Sequence, residues 1–285
     1  MLRRSRELFA DILRQTDLVL LALCAAASLF GVLMVASATR YMHTWRLVAV
    51  QSVALLLGVV LYLVISQIDL NDLCKYWKWI FLVGVVCILL LVTPLGIADN
   101  TGNRAWLDFP FLPVKVQPAE IVKLTLTLVL AKQLVWLKEN RDLSSIPSIL
   151  FLAAHLGVIF VLYYKVSSDM GSALVFLFIF ACMCFVGGVA LRWFLLGGLA
   201  GGLAFWALWD LNKIPSYMKL RFQVLFDHSL DPQDTGWQQT RSLMALGSGK
   251  LTGQGLFQGT QTQSEYSSAP VSYTHLRAHE TRSNL

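Results

Sequence analysis

The stretch Leu18–Thr39, LVLLALCAAASLFGVLMVASAT, contains no charged side chain. A helix needs about 20 apolar residues to cross a bilayer, so this stretch is long enough to span one. It is also longer than the apolar region of a signal peptide, and it lacks a clear small-residue cleavage site. We therefore expect it to be retained as a first membrane-spanning helix.

Apolar blocks of similar length recur along most of the chain. The chain is 56% hydrophobic and 14% charged, whereas soluble domains carry roughly a quarter charged residues. A single soluble core could not bury so much apolar surface, and most of the five cysteines fall in these blocks without metal-ligand spacing. The sequence predicts an all-α, polytopic membrane helix bundle, with six further spans at about residues 47–66, 77–97, 119–137, 148–164, 171–190 and 193–209.

The basic residues lie near the ends of these blocks. The formal net charge of +6 is therefore explained by helix orientation and contact with anionic lipid, and we predict no nucleic-acid partner. The positive-inside rule places one set of basic residues in the cytoplasm: the arginine-rich N-terminus, Lys75 with Lys78, Lys138 with Arg141, and Arg192. Residues 98–118 and 210–270 would then lie outside the cytoplasm, although Arg40 and Arg46 oppose this orientation.

The fourth block is the least apolar, and it carries Glu120, Lys123, Thr125, Thr127 and Lys132. These side chains would be costly against lipid, so we expect this helix to face other helices or a wet cavity. Glu120 and Lys123 are three residues apart on one helix face, which predicts an ion pair near the helix start. Such a pair at a bilayer edge indicates a functional site, with a purely structural pair as the alternative.

Two further segments carry candidate site residues. Arg104 can grip phosphate through two parallel hydrogen bonds, and Trp106 beside it suits the membrane interface as well as a binding site. Asp169 follows two serines at the start of the sixth span. The structural interpretation of that segment is a serine cap with an acidic first turn, and the functional interpretation is a site residue.

The segment 210–271 after the seventh span is amphipathic. Ile214, Met218 and Phe222 recur at helical spacing, which predicts a helix on the membrane surface. Asp231-Pro232 then breaks the chain, and residues 236–246 predict a short helix that is stopped by Gly247 and Gly249.

Taken together, these motifs resemble the SEDS (shape, elongation, division and sporulation) family of RodA, FtsW and SpoVE, over residues 15–270. Their order and spacing agree throughout, and the last motif is most similar to RodA. The motifs are G-x-R-x-W-L at 102–107, Q-P-A-E-x-x-K-L at 117–124, S-D-M-G-S-A-L at 168–174, G-W-Q-Q at 236–239 before S-L-M-A-L-G-S-G at 242–249, and G-Q-G-L at 253–256 with G-T-Q-T-Q at 259–263.

The resemblance implies a peptidoglycan glycosyltransferase of the bacterial cell membrane, with ten helices, that polymerises lipid II during cell elongation or division. A sugar hydroxyl attacks an anomeric carbon, and undecaprenyl pyrophosphate leaves. Arg104 would neutralise the pyrophosphate with Lys115 or a divalent metal, Mg²⁺ or Mn²⁺. Glu120 and Lys123 would shape the substrate cavity, Trp106 would contact the substrate, and Asp169 would support the site. A class B penicillin-binding protein is the implied partner.

The chain departs from the family pattern after about residue 271. The family carries an aspartate, its proposed catalytic base, just before the eighth helix, and none stands here. Residues 272–285 instead resemble a translated sequencing adapter, so we expect this tail to be non-native and the gene to continue. The expected organisation is a seven-span bundle at 1–209, an extracytoplasmic loop with interfacial helices at 210–271, and the tail.

Two other functions are compatible with the same features. A flippase for the lipid-linked precursor would use the same cavity and cations. A non-catalytic scaffold of the cell-wall machinery would need only the bundle.

Overall fold

A computed structural model describes residues 16–40, 45–98, 103–110, 115–214, 216–224, 226–227, 237–250 and 252–259. Within them the chain is mostly helical. It divides into two compact units, one formed by residues 69–207 and the other by residues from 1–68 and 208–285. Ten helices and two short strands are described: α1 Leu18–Ala38, α2 Arg46–Ile65, α3 Leu70–Lys75, α4 Trp77–Leu90, β1 Gly96–Ile97, β2 Trp106–Leu107, α5 Pro118–Asn140, α6 Ile146–Ser167, α7 Met170–Gly187, α8 Leu191–Asp210, α9 Ser216–Val224 and α10 Trp237–Gly249.

Helix α5 is the centre of the 69–207 unit, where it packs against α4, α6 and α7. Its buried face contributes to two apolar clusters, one towards each end of the unit, and their fully buried members on α5 are Ala119, Val122, Leu126, Leu130 and Leu137. Helices α4 and α5 approach closely at Gly84, where an added Cβ would lie 2.5 Å from Thr125 Oγ1. A larger residue at this position would force Thr125 or one of the two helices to shift.

The other unit contains α1 and α2 packed against each other. Asp17 caps α1 by accepting the Leu20 N–H at 3.0 Å, and the Tyr62 hydroxyl of α2 donates to the Asp17 carbonyl at 3.1 Å. Neither helix has a buried residue. Their apolar side chains therefore face outward, as expected for helices surrounded by lipid.

Each of the seven predicted apolar blocks contains a helix. Among the described residues, five helices are long and apolar enough to cross a membrane, namely α1, α2, α6, α7 and α8. Helix α5 is long, but its polar residues lower its hydropathy. The third block differs most from its prediction, because α4 has 14 residues and is about 21 Å long. Tight turns follow it up to Thr93, where Pro94 disfavours further helix.

The segment after α8 agrees in part with its prediction. Helix α9 is present, but it begins at Ser216, so Ile214 lies before it. Helix α10 passes through Gly247 and ends at Gly249, the second of the two glycines predicted to stop it, because a single glycine weakens a helix without always ending it. The predicted chain break at residues 231–232, the last motif beyond Gly259 and the tail at 272–285 lie outside the described residues.

Candidate functional site

Between α4 and α5, the described residues 91–98, 103–110 and 115–117 fold back onto one end of the 69–207 unit. Strands β1 and β2 pair in antiparallel fashion, with Gly96 opposite Leu107. Leu107 also exchanges two backbone hydrogen bonds with Val116, at 2.7 and 2.9 Å. Its side chain is 3% exposed and belongs to the same apolar cluster as Ala119 of α5. This packing fixes the residues on either side of Leu107 at that end of the unit.

Arg104 is held by backbone carbonyls on two sides. Its Nε donates to the Gly96 carbonyl at 3.0 Å, and its Nη2 donates to the Thr93 carbonyl at 2.9 Å. Its backbone N–H donates to the Ser167 carbonyl at the end of α6, at 3.0 Å. The guanidinium therefore provides hydrogen-bond donors for carbonyl oxygens in the turn after α4. Its Nη1 donates to none of the described residues and is the group left for a ligand.

The fit around Arg104 is tight. A Cβ added to Gly96 would lie 2.0 Å from the Leu91 carbonyl oxygen and 2.9 Å from Arg104 Nε. Trp106 follows two residues later in β2, opposite Ile97 and half-buried. Arg104 and Trp106 thus lie at the same end of the unit.

Glu120 and Lys123 form the predicted ion pair. Lys123 Nζ lies 2.7 Å from Glu120 Oε2, and the side chains are 30% and 62% exposed, respectively. Glu120 stands in the first turn of α5, where the helix dipole favours a carboxylate. The buried residues Ala119 and Val122 occupy the other side of the helix. The pair therefore lies on a partly exposed face of α5.

Asp169 is the N-cap of α7, so the predicted serine cap is wrong. Its Oδ1 accepts the N–H groups of Gly171 and Ser172, at 3.1 and 3.3 Å. Its Oδ2 accepts the hydroxyls of Tyr163 and Ser172, at 3.2 and 2.6 Å. Ser168 takes the left-handed conformation that ends α6, with φ of 57°. Because a carboxylate offers about four acceptor positions, Asp169 has little capacity left for another ligand.

These predicted residues share one end of the unit. Ser167 connects the Arg104 backbone to the segment that carries Asp169, and the start of α5 packs beside Leu107. The hydrogen bonds and ion pairs of the described residues do not join Arg104 to the Glu120–Lys123 pair. Lys115 is exposed just before Val116.

Sequence reasoning missed Tyr163 and Ser167 of α6. Both are fully buried at this end of the unit, and the Ser167 hydroxyl makes no hydrogen bond to a described residue. The available signal was a polar cluster, Tyr163 to Asp169, at the end of an apolar helix.

As for a metal, no three His, Cys, Asp or Glu side chains within the described ranges group closely enough to hold one.

Known proteins similar to this chain form a consistent set. The cell cycle protein family of FtsW, RodA and SpoVE matches residues 15–272. A probable peptidoglycan glycosyltransferase FtsW of Geobacter metallireducens is 31% identical over 255 residues, which cover 86% of this chain and 65% of that protein. The peptidoglycan glycosyltransferase MrdB of Escherichia coli K12 is 30% identical over 214 residues, covering 74% and 54%.

Solved structures agree with these sequence relatives. One chain from a study of polymerization and crosslinking by a peptidoglycan synthase complex superposes with a TM-score of 0.65 at 28% identity, covering 81% of this chain and 65% of that one. RodA of Thermus thermophilus superposes with a TM-score of 0.52 at 29% identity, covering 65% and 58%. The chain spans just under two thirds of the FtsW relative and about half of MrdB.

The family match covers most of the chain, and the fold agrees with it. The apolar helices indicate a membrane location independently of any relative. The chain therefore belongs to the FtsW, RodA and SpoVE family, the SEDS proteins, and is a multi-pass bacterial membrane protein.

Proposed function

We propose that this chain forms the N-terminal part of a peptidoglycan glycosyltransferase that polymerises lipid II. The observation that carries the proposal is the exposed Glu120–Lys123 ion pair, which lies at the same end of the unit as Arg104. Charged groups on a membrane helix are costly unless they meet polar partners. Relatives named peptidoglycan glycosyltransferases support the assignment of those partners to substrate.

Arg104 is proposed to stabilise the departing pyrophosphate. Two of its nitrogens are fixed by the carbonyls of Gly96 and Thr93, so the guanidinium is oriented before the substrate arrives. A preorganised cation stabilises developing negative charge without reorganising at the moment of reaction. Nη1 would contact a phosphate oxygen, and the exposed Lys115 would supply a second cation.

Glu120 and Lys123 are proposed to line the cavity that holds the sugar portion of donor or acceptor. The carboxylate keeps acceptor capacity beyond its one ion pair, because 62% of the Glu120 side chain is exposed. It could accept hydrogen bonds from sugar hydroxyls, while Lys123 limits the cost of its charge. Trp106 would contact the substrate beside Arg104.

The catalytic base is proposed to lie outside the described residues. The attacking hydroxyl must lose its proton to a group within hydrogen-bond reach. Asp169 is a poor candidate, because four donors already occupy its oxygens, and its proposed role is to support the end of α6 near Arg104. The family places an aspartate after the outer loop, and residues 272–285 contain none, so we expect the 285-residue chain to be inactive.

A divalent metal, Mg²⁺ or Mn²⁺, would have to be held mainly by the pyrophosphate. The described residues provide no cluster of three ligands, and no step of the proposal depends on the ion. The proposed partner is a crosslinking enzyme, a class B penicillin-binding protein. The similar chain from the peptidoglycan synthase complex, whose study concerns both polymerization and crosslinking, supports that partner.

The test uses purified protein from the uninterrupted gene with lipid II in detergent, and glycan strands are measured by gel electrophoresis. We expect product from the wild type and from Lys138→Met, a control that removes an exposed lysine from the far end of α5. Lys123→Met should reduce product. Movement of lipid across vesicles without glycan product would favour a flippase. Normal growth with a folded but inactive variant would favour a scaffold.

A further inference from the structure

A groove of about 230 Å³ opens at the other end of the 69–207 unit. Its lining is mostly apolar and consists of Trp77, Lys132, Gln133, Trp136 and Phe151. Lys132 lies twelve residues after Glu120 on α5, which is roughly 18 Å along the helix axis. The groove is therefore separate from the end where Arg104 and the Glu120–Lys123 pair lie.

Lys132 is the unusual member of this lining. It is half-buried among aromatic residues, and its ammonium makes no ion pair or hydrogen bond within the part of the chain that the structure describes. Gln133 does not satisfy it, because the Gln133 side-chain oxygen lies 2.9 Å from His155 Nδ1. An ammonium in an apolar membrane setting is costly, so it is expected to find an anion or to extend to the interface.

Two further cations stand over the groove's tryptophans. Lys78 Nζ lies 5.7 Å from the centre of the Trp77 ring, and Arg141 Cζ lies 5.8 Å from the centre of the Trp136 ring. Tryptophan is enriched at the level of lipid headgroups. The groove thus combines a mostly apolar wall with one lining cation, Lys132, and two of its tryptophan rings each contact a further cation.

The acidic residues nearby do not neutralise this arrangement. Glu139 and Asp142 follow on the same part of the chain, but neither lines the groove. The Asp142 carboxylate accepts the Ser144 N–H at 3.0 Å. The charge complementary to the groove is therefore negative.

We propose that this groove binds one anionic phospholipid. The lipid phosphate would lie against Lys132, and one acyl chain would lie along Trp77, Trp136 and Phe151. A phospholipid supplies both an anion and an apolar chain at this depth, and basic pockets between membrane helices bind such headgroups. This inference does not depend on the proposed enzymatic function, which concerns the other end of the unit.

The test compares lipid retention by the purified chain in native mass spectrometry, using phosphatidylglycerol and phosphatidylcholine with identical acyl chains. Wild type should retain phosphatidylglycerol preferentially. Lys132→Met should reduce that preference roughly fivefold, because one lysine at an anionic headgroup contributes about that factor. The matched control is Lys138→Met, which removes an exposed lysine of the same helix outside the groove and should keep the preference.

Three outcomes would overturn the proposal. Equal retention of both lipids by wild type would show that the groove does not select an anion. An equal loss of preference in Lys132→Met and Lys138→Met would show that only overall charge matters. If a variant does not fold, a measurement on the wild type alone still tests the proposal. Phosphatidylglycerol should raise the thermal unfolding temperature of the wild type above its value in phosphatidylcholine. The absence of that rise would contradict the site.

Discussion

Replacing Arg104 with lysine should separate its structural role from its charge. Arg104 donates two side-chain hydrogen bonds to carbonyls, to Gly96 at 3.0 Å and to Thr93 at 2.9 Å. Hydrogen bonds from charged groups contribute about 1.5–3 kcal/mol each. Lysine keeps the charge but cannot reproduce the planar, two-point contact, so one bond should be lost. We expect Arg104→Lys to lower the free energy of unfolding by about 1.5–3 kcal/mol.

The assay is thermal unfolding of the purified chain in detergent, with wild type and variant prepared identically. Arg192→Lys is the matched control, since Arg192 is exposed and donates one long hydrogen bond, of 3.4 Å, to the Ser144 carbonyl. Its effect should stay within about 0.5 kcal/mol. Arg104→Ala should be more destabilising than Arg104→Lys, because it leaves both carbonyls without their donor. If Arg104→Lys and Arg104→Ala both unfold at the wild-type temperature, the guanidinium does not hold the turn after α4.

Three further predictions concern other positions. Asp169→Asn should lower the free energy of unfolding by about 1–3 kcal/mol. The reason is that an amide nitrogen in place of Asp169 Oδ2 cannot accept the hydrogen bonds from the Tyr163 and Ser172 hydroxyls. Unchanged thermal unfolding would argue against the cap. Gly84→Ala should lower the free energy of unfolding by about 1–3 kcal/mol through overpacking, because the new Cβ would lie 2.5 Å from Thr125 Oγ1. Adding Thr125→Ala should restore part of the unfolding temperature. Simple additivity of the two changes would refute the contact. Glu120→Lys places two cations side by side and should lower lipid II polymerisation by the intact protein about tenfold, equivalent to about 1.4 kcal/mol. Wild-type activity in a folded variant would show that the pair is not part of the site.

The positions of the helices could be predicted because the signal is local. A bilayer requires some 20 apolar residues in succession, and blocks such as Leu18–Thr39 meet that requirement without reference to the rest of the chain. The Glu120–Lys123 pair was predictable for the same reason, since helical spacing alone brings the two side chains together. The end of α4 was less predictable, because the turns after Leu90 depend on Pro94 and on the fold of the following loop.

The details around Arg104 could not be predicted, because they depend on pairing between distant residues. Strands of two residues carry no periodic signal, and Gly96 meets Leu107 only once the loop has folded onto the core. The carbonyl partners of Arg104 follow from that pairing. Asp169 shows a different limit: serine and aspartate are both good helix caps, and the choice between Ser168 and Asp169 depended on a left-handed turn at Ser168.

The central claim is that the end of the unit carrying Arg104 and the Glu120–Lys123 pair receives the pyrophosphate-linked sugar donor. The most direct measurement is an electron cryo-microscopy structure of the intact protein with lipid II bound. We expect a pyrophosphate oxygen at hydrogen-bond distance, about 3 Å, from Arg104 Nη1, with the sugar beside Glu120. A donor bound elsewhere, with Arg104 and the ion pair facing acyl chains, would contradict it.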